Sequence, residues 1–477
     1  MIYLDRELNV PLYEQIYQSI KNDILSGKLP GGARLPATRR LATDLVVGRN
    51  TVENAYQQLL VEGYVSSRVG SGYTVNTLSL PQNMGTGWQY TPEAKEPEQE
   101  PVKTKAPEEE LRYDFRIIRL DNGVFPTTDF KRCLIEALKG LNEGPIFEYP
   151  SRQGDLSLRK AICQHLYAAR GIEADPENMV ITCGHQYSLD VICTLLEGKK
   201  LRVAMEDPGY AGANALFKLR KVKISPIPVE RDGADMSALK RSKANLLYLT
   251  PSHQYPTGAV LSIQKRLQAV EWAARSGGYI IENDYDSELR YNTRPIPSLY
   301  AMDRSQRVIY IGSLSRPISL ELGLGYMILP PELMEDYRNL YSLHYNSVPP
   351  IVQQAVACYI DSGDCARHLD RYRVACRKKH DRMLAETSRI FGARVKVTAA
   401  GGGLHLLFRV EAGYSDEELI RRARDVGVRV YSIQNAWLQE ETRIPGQVLL
   451  GYGGIAIEDI APALELLQKA WFGGKDD

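Results

Sequence analysis

The chain has 477 residues, 44% hydrophobic and 25% charged, which excludes wholesale disorder and collagen-like repetition and favours two or three domains at about 150 residues each. Its 59 Lys and Arg against 58 Asp and Glu leave a net charge of +1, so any affinity for nucleic acid has to come from a local patch. No run approaches the roughly 18 apolar residues of a membrane span, and the start lacks a basic stretch followed by an apolar core, so neither a membrane partner nor an export signal is expected.

In chain order, Leu12, Ile16, Ile20 and Ile24, joined by Tyr13 and Tyr17, predict an amphipathic helix ending near Gly27. Leu35-Pro36-Ala37-Thr38 is expected to open a short second helix, because the missing proline N–H costs nothing at a helix start. A third helix is expected after Gly48, with Val52, Ala55, Tyr56, Leu59 and Leu60 at helical spacing, stopping at Gly63. Tyr64-Val65 and Tyr73-Thr74-Val75, joined across Gly70-Ser71-Gly72, read as a β-hairpin. Three helices and a hairpin make an N-terminal winged helix-turn-helix (α+β).

Five basic residues (Lys28, Arg34, Arg39, Arg40, Arg49) and one acid, Asp44, lie between positions 28 and 49. That is the footprint of phosphate contacts. The third helix begins Gly48-Arg49-Asn50-Thr51, where Arg can grip guanine and Asn adenine, each with two hydrogen bonds. A double-stranded DNA operator is the expected partner, and a protein-binding winged helix with a solvated charged face is the alternative.

Residues 78–112 form the expected linker: positions 78–110 carry five prolines, seven glutamates and three lysines, too little apolar surface to offset the entropy of ordering. Beyond it, residues 113–475 alternate helical patterns with apolar strands, among them 179–182, 202–205, 245–250, 279–282 and 308–311. Such alternation predicts a large α/β domain with a mostly parallel sheet covered on both faces. The seven cysteines, at 133, 163, 183, 193, 358, 365 and 376, form no C-x-x-C pair. Their spacing suggests neither a zinc site nor a disulfide framework, and a reduced, cytoplasmic setting is expected. His185, His253 and His405 have no metal-triad spacing, and His368 is expected on the surface of a basic helix or at a dimer contact.

Arg34-Leu-Pro-Ala-Thr-Arg-Arg-Leu-Ala, Gly48-Arg-Asn-Thr-Val-Glu-Asn-Ala-Tyr, Glu62-Gly-Tyr-Val, Ser67-Arg and Gly70-Ser-Gly together resemble the GntR-type DNA-binding domain over residues 9–77. The resemblance implies that Arg39, Arg49, Asn50 and Thr51 carry the main phosphate and base contacts, with Arg34 assisting and Gly70 in the wing. The large domain resembles the fold type I aminotransferases that bind pyridoxal phosphate. Its matching stretches are Tyr149-Pro-Ser-Arg-Gln-Gly154, Thr182-Cys-Gly-His-Gln186, Glu206-Asp-Pro-Gly-Tyr210, Thr250-Pro-Ser-His-Gln-Tyr-Pro-Thr-Gly258 and Gly403-Leu-His405. The combination is similar to the MocR/GabR-type transcriptional regulators. That resemblance implies a head-to-tail homodimer and a cofactor site at Gly184, His185, Gln186, Tyr210, Asn283, Tyr285, Ser313, Ser315 and Arg316.

At that site the chain departs from the family. The Schiff-base lysine motif reads Ser313-Leu-Ser-Arg316, and an arginine keeps its proton, so Arg316 cannot attack the cofactor aldehyde. The ring-nitrogen carboxylate falls at Asn283, and the phosphate-binding arginine at Gly323, with Glu321 nearby. No lysine lies between 266 and 377. Ala211-Gly212 follows the signature aromatic where GABA-responsive relatives carry an arginine that binds substrate. The expectation is a regulator that is not an enzyme, has no catalytic residues and no metal, and has lost pyridoxal phosphate or binds it non-covalently. An active aminotransferase with a DNA-binding head is the alternative. Arg316 is expected either to anchor a small anionic effector or to pair internally with Glu321 or Asp284.

Overall fold

A computed structural model describes residues 2, 4–6, 8, 10–68, 72–78, 111–117, 126–140, 151–286, 288–291, 296–314, 318 and 322–473. The chain divides into two compact units, Met1–Pro107 and Glu108–Asp477. The predicted linker falls outside the described residues from 79 to 110, as do Gly70, Ser315, Arg316 and Glu321.

The first unit contains helices α1 (Leu12–Leu25), α2 (Thr38–Leu45) and α3 (Arg49–Val61), then strands β1 (Val65–Arg68) and β2 (Gly72–Val75). Of the predicted face of α1, Ile16, Tyr17, Ile20 and Ile24 pack on Val52, Ala55, Tyr56 and Leu59 of α3, whereas Tyr13 in the first turn is exposed and Leu12 only half-buried. β1 and β2 are antiparallel, with Val65 opposite Val75. The second helix differs in one detail: it begins at Thr38, and Pro36 stays outside it. The reason is local. The Tyr56 hydroxyl donates to the Pro36 carbonyl at 3.0 Å and the Leu35 N–H donates to the Tyr73 carbonyl at 2.9 Å, holding this segment extended. One step earlier, Arg34 bridges Thr74, so residues 32–35 lie along β2 as a strap.

In the second unit the helices that matter below are α4 (Thr127–Gly140), α5 (Leu156–Arg170), α6 (His185–Leu195), α7 (Ile263–Ser276), α8 (Pro350–Asp361) and α9 (Asp364–Phe391). The strands of the main sheet are β3 (Met179–Thr182), β4 (Arg202–Asp207), β5 (Lys223–Glu230), β6 (Gly233–Ala234), β7 (Leu246–Leu249), β8 (Tyr279–Asp284), β9 (Val308–Ser313) and β10 (Gly325–Ile328). They are ordered β3-β10-β9-β8-β7-β4-β5-β6. The run from β9 through β8, β7 and β4 to β5 is parallel; β10 is antiparallel to both β9 and β3. Each of the five predicted strand segments is found, which is the mostly parallel, two-sided sheet expected. A smaller antiparallel sheet, Val395–Thr398, His405–Val410, Gln447–Gly451 and Tyr431–Ser432, follows toward the C-terminus.

The parity of β8 sets the site. All six of its residues are buried. Tyr279 and Ile281 pack with Leu189 and Ile192 of α6 and with Tyr248 of β7, whereas Ile280 packs with Ala269 and Ala273 of α7. Side chains alternate along a strand, so Asn283 points to the α6 side and Glu282 and Asp284 to the other. His368 is a correction to the surface position expected: it is 3% exposed and stacks parallel to Tyr372, ring centroids 6.2 Å apart, on the inward stripe of α9. Among the described residues no helix is long and apolar enough to cross a membrane.

Candidate functional site

In the first unit, Arg39 lies in the first turn of α2, Arg49, Asn50 and Thr51 open α3, and Arg34 sits on the strap beside Thr74. Arg34, Arg39, Arg49 and Asn50 are all exposed. Gly48 is the residue before α3, and a Cβ placed there would meet only Thr51 Oγ1, at 3.6 Å. The open N–H groups of that first turn therefore remain approachable by an anion. Arg49 Nε donates to Glu53 Oε1 at 2.7 Å, with half of the Arg49 side chain exposed. An Arg four residues before a Glu on one helix face is the local signal for this partner, which the motif for base contacts does not include.

In the second unit, Gly184 precedes α6 at φ +108, a backbone region that only glycine occupies without strain. His185 opens the helix. Its Nε2 is 3.0 Å from the Tyr248 hydroxyl, and Asn283 Nδ2 donates to the same hydroxyl at 2.8 Å. Tyr210 meets the His185 ring edge-on at 5.4 Å and the Tyr255 ring at 6.2 Å. Burial lowers the His185 imidazole to about 4 and raises the Tyr248 phenol well above its ordinary value. At neutral pH the wall His185–Tyr248–Asn283 is therefore uncharged. Gly184, His185, Tyr210 and Asn283 thus lie together, while Gln186 is exposed.

Tyr285 and Ser313 border a separate cavity of about 30 Å³, shared with Arg170, Asp284, Glu288, Tyr310 and Tyr326. There the Tyr310 hydroxyl donates to Asp284 Oδ2 at 2.6 Å and Arg170 Nη2 lies 3.2 Å from the same oxygen; both ionic side chains are buried. Asp284 cannot substitute for Asn283, because it faces away and already holds an arginine. Glu282, on that same face, accepts the N–H groups of Leu299 and Tyr300, and burial raises its carboxyl to about 7. Tyr248, Arg170 and Tyr310 carry no local signal in the sequence, since their partners lie on other elements.

At the helix start, Gly323 stands at φ +53 with its carbonyl oxygen 4.0 Å from where a Cβ on Gly184 would lie. Gly323 thus presents backbone to the α6 start. Lys265, which precedes the lysine-free stretch, has its ammonium 2.6 Å from both Glu230 and Asp232.

The pattern of the family "Aminotransferase class I and II" matches residues 116–445, and that of "Bacterial regulatory proteins, gntR family" matches residues 12–75. The chain is 32% identical over 470 residues to the HTH-type transcriptional regulator YdeL of Bacillus subtilis (strain 168), covering 98% of each chain. It is also 32% identical over 483 residues to the probable rhizopine catabolism regulatory protein MocR of Rhizobium meliloti, covering 99% of this chain and 96% of that one. The chain belongs to the MocR-type transcriptional regulators. Among solved structures, an archaeal alanine:glyoxylate aminotransferase superposes on 76% of this chain and 91% of its own, with a TM-score of 0.69 and 23% identity. That likeness establishes the fold of the regulator's large unit and nothing of its chemistry.

Proposed function

We propose that this regulator reads double-stranded operator DNA with residues 9–77 and uses residues 113–475 as a dimerising, effector-sensing body that does not transaminate, with residues 78–112 as the tether. The observation that carries the reading is the Asn283 amide held on the Tyr248 hydroxyl at 2.8 Å. In transamination on this fold a carboxylate keeps the ring nitrogen of pyridoxal phosphate protonated so that the ring can act as a full electron sink, and a neutral amide supplies no such charge. The residues present do not fit that cofactor as a working group. Arg316 keeps its proton, Gly323 offers no cation to a phosphate, and the Lys265 ammonium is held by two carboxylates.

On the DNA side, Arg49 and Asn50 are assigned to base edges, Thr51, Arg39 and Arg34 to phosphates, and Gly70 to the wing. Two heads related by a dimer axis, in a head-to-tail homodimer, would read paired half-sites. On the effector side, the Gly184 helix start offers N–H donors for an oxyanion, and the Ser313 hydroxyl borders the neighbouring cavity. Asp284 already holds Arg170, which leaves Glu321 or an incoming anion as the counter-charge of Arg316.

The test uses the full chain. Mixed with pyridoxal phosphate and reduced with borohydride, it is expected to carry no cofactor fixed stoichiometrically at one lysine of residues 113–475, and by fluorescence anisotropy it is expected to bind a genomic duplex selected from a fragment library in preference to random DNA. Cofactor fixed by borohydride together with turnover of amino acids would overturn the non-enzymatic half of the reading. Failure to bind duplex in preference to random DNA would overturn the other half. Arg316→Lys alone is expected not to give half-transamination, and rapid half-transamination would overturn the roles assigned to Asn283 and Gly323.

A further inference from the structure

Two thiols 225 residues apart in the sequence meet inside the large unit, with Cys133 Sγ and Cys358 Sγ at 2.6 Å. Cys133 lies on α4 and Cys358 on α8, and both belong to one apolar cluster. Two further contacts along the same helices fix their register. The Phe130 and Tyr359 rings meet edge-on at 6.1 Å, and Arg132 Nη2 lies 2.5 Å from Asp364 just beyond the end of α8. A disulfide needs its sulfurs at about 2.05 Å, so roughly half an ångström of approach converts this contact into a bond. Cys163 and Cys365 pack in the same cluster, yet neither is drawn to a second sulfur in this way among the described contacts.

We propose that Cys133 and Cys358 form a reversible disulfide, oxidised by a peroxide or a low-molecular-weight disulfide, which makes this pair a modification site of the regulator. The two thiols divide the chemistry. Cys358 is half-buried and meets the oxidant first, whereas Cys133 is 0% exposed and its burial pushes the thiol pKa up, so it acts as the resolving partner.

With hydrogen peroxide, the Cys358 thiolate attacks one oxygen and the O–O bond breaks. That oxygen stays on sulfur as a sulfenic acid, and the other leaves as hydroxide, which takes up the proton lost by Cys358 to become water. The Cys133 sulfur then attacks the Cys358 sulfur. The S–O bond breaks, and hydroxide leaves with the Cys133 proton as a second water. Two thiols and one peroxide become one disulfide and two waters, the two electrons passing from sulfur to oxygen. With a small disulfide as oxidant, two exchange steps release two small thiols instead.

The closed ring would hold α4, the first helix described in the large unit, to α8. In the unfolded chain it would tie two points 225 residues apart, which restricts the denatured ensemble and raises the melting temperature of the oxidised form.

The experiment takes the full chain through peroxide or oxidised glutathione, then denaturation, alkylation of remaining thiols and peptide mapping by mass spectrometry. Of the seven cysteines, Cys133 and Cys358 are expected to escape alkylation together as one linked peptide pair that dithiothreitol releases. In Cys358→Ser, Cys133 is expected to be alkylated in full. Exposed Cys183 is the internal gauge that oxidant reached the protein. Three results would overturn the proposal. One is both thiols fully alkylated while Cys183 is modified. Another is Cys358 recovered as sulfinic acid beside alkylated Cys133. The third is a linked pair that uses Cys163 or Cys365 instead.

Discussion

The two units hold arginine in opposite ways. Arg49 in the head is about half exposed, and its contact with Glu53 at 2.7 Å lies on a solvated helix face. The Arg170 side chain in the large unit is 3% exposed against an Asp284 side chain that is 0% exposed. A surface pair contributes roughly 0–1 kcal/mol and is readily exchanged, so Arg49 can leave Glu53 for a phosphate or a guanine at little cost. A buried pair cannot be exchanged that way, because either partner left alone is an uncompensated charge in a low-dielectric interior. An arginine that reads a ligand must be cheap to release. By that measure Arg49 is free to be exchanged, and Arg170 belongs to the framework around Asp284.

The contrast can be broken by substitution, beginning with the largest effect. Arg170→Ala strands Asp284 and is expected to destabilise the large unit by about 3–5 kcal/mol in urea unfolding. A loss under about 1 kcal/mol would mean the pair is solvated and the contrast false. Arg49→Ala is expected to leave unfolding within about 0.5 kcal/mol of the parent. Its cost falls on operator binding, about 1–3 kcal/mol measured by titration, and less on random DNA. Equal losses on both would make Arg49 a phosphate clamp alone.

A third substitution sharpens the comparison through pH. Burial raises the Glu206 carboxyl from an ordinary 4.5 to about 7, while the Thr250 N–H and hydroxyl donate to it at 3.0 and 2.7 Å. Between those values the folded chain keeps a proton that the unfolded chain has released. The stability it contributes is therefore complete below the lower value and is lost as pH rises toward about 7. Glu206→Gln removes that proton from the balance, so its unfolding free energy should fall less steeply with pH than the parent's. The difference should be up to about 1.4 kcal/mol per pH unit within the window. Glu282 acts in the same sense and His185, lowered to about 4, in the opposite one, but both are common to parent and variant. Parallel curves would show that Glu206 ionises normally.

The smallest effect belongs to Glu53→Gln. Stability should change by less than about 0.5 kcal/mol, and affinity for duplex should rise slightly as Arg49 loses its competitor. A fall in affinity would mean that Glu53 positions Arg49 rather than competing for it.

What the sequence disclosed follows from the range of the interactions involved. The stripe of α1, the start of α3 at Gly48 and the five apolar strand segments are set by residues a few positions apart, and periodicity shows them. The convergence of Gly184, His185, Tyr210 and Asn283 was legible only through family motifs, since α6, β4 and β8 are far apart in the chain. The Tyr248 hydroxyl shared by His185 and Asn283, the Arg170–Asp284–Tyr310 cluster and the Cys133–Cys358 contact left no trace in local spacing. Each joins elements whose neighbourhood is decided by sheet order or helix packing. Pro36 and His368 failed for a related reason: a tyrosine twenty residues away holds the Pro36 carbonyl, and an inward helix stripe takes the His368 ring.

The strap at residues 32–35 has a consequence for how fast and how tightly the head engages a duplex. Because Gly32 and Leu35 donate to the carbonyls of Val75 and Tyr73, and Val75 donates to Ala33, the base of the wing is ordered before any duplex arrives. Its backbone entropy is spent during folding rather than at association. Among the described residues, the side chains proposed to contact DNA, Arg34, Arg39 and Arg49, still have rotamer freedom to lose on docking, about 0.5–1.5 kcal/mol for each one immobilised. A head built this way should associate as a rigid body, with little heat-capacity change beyond that of the surface it covers.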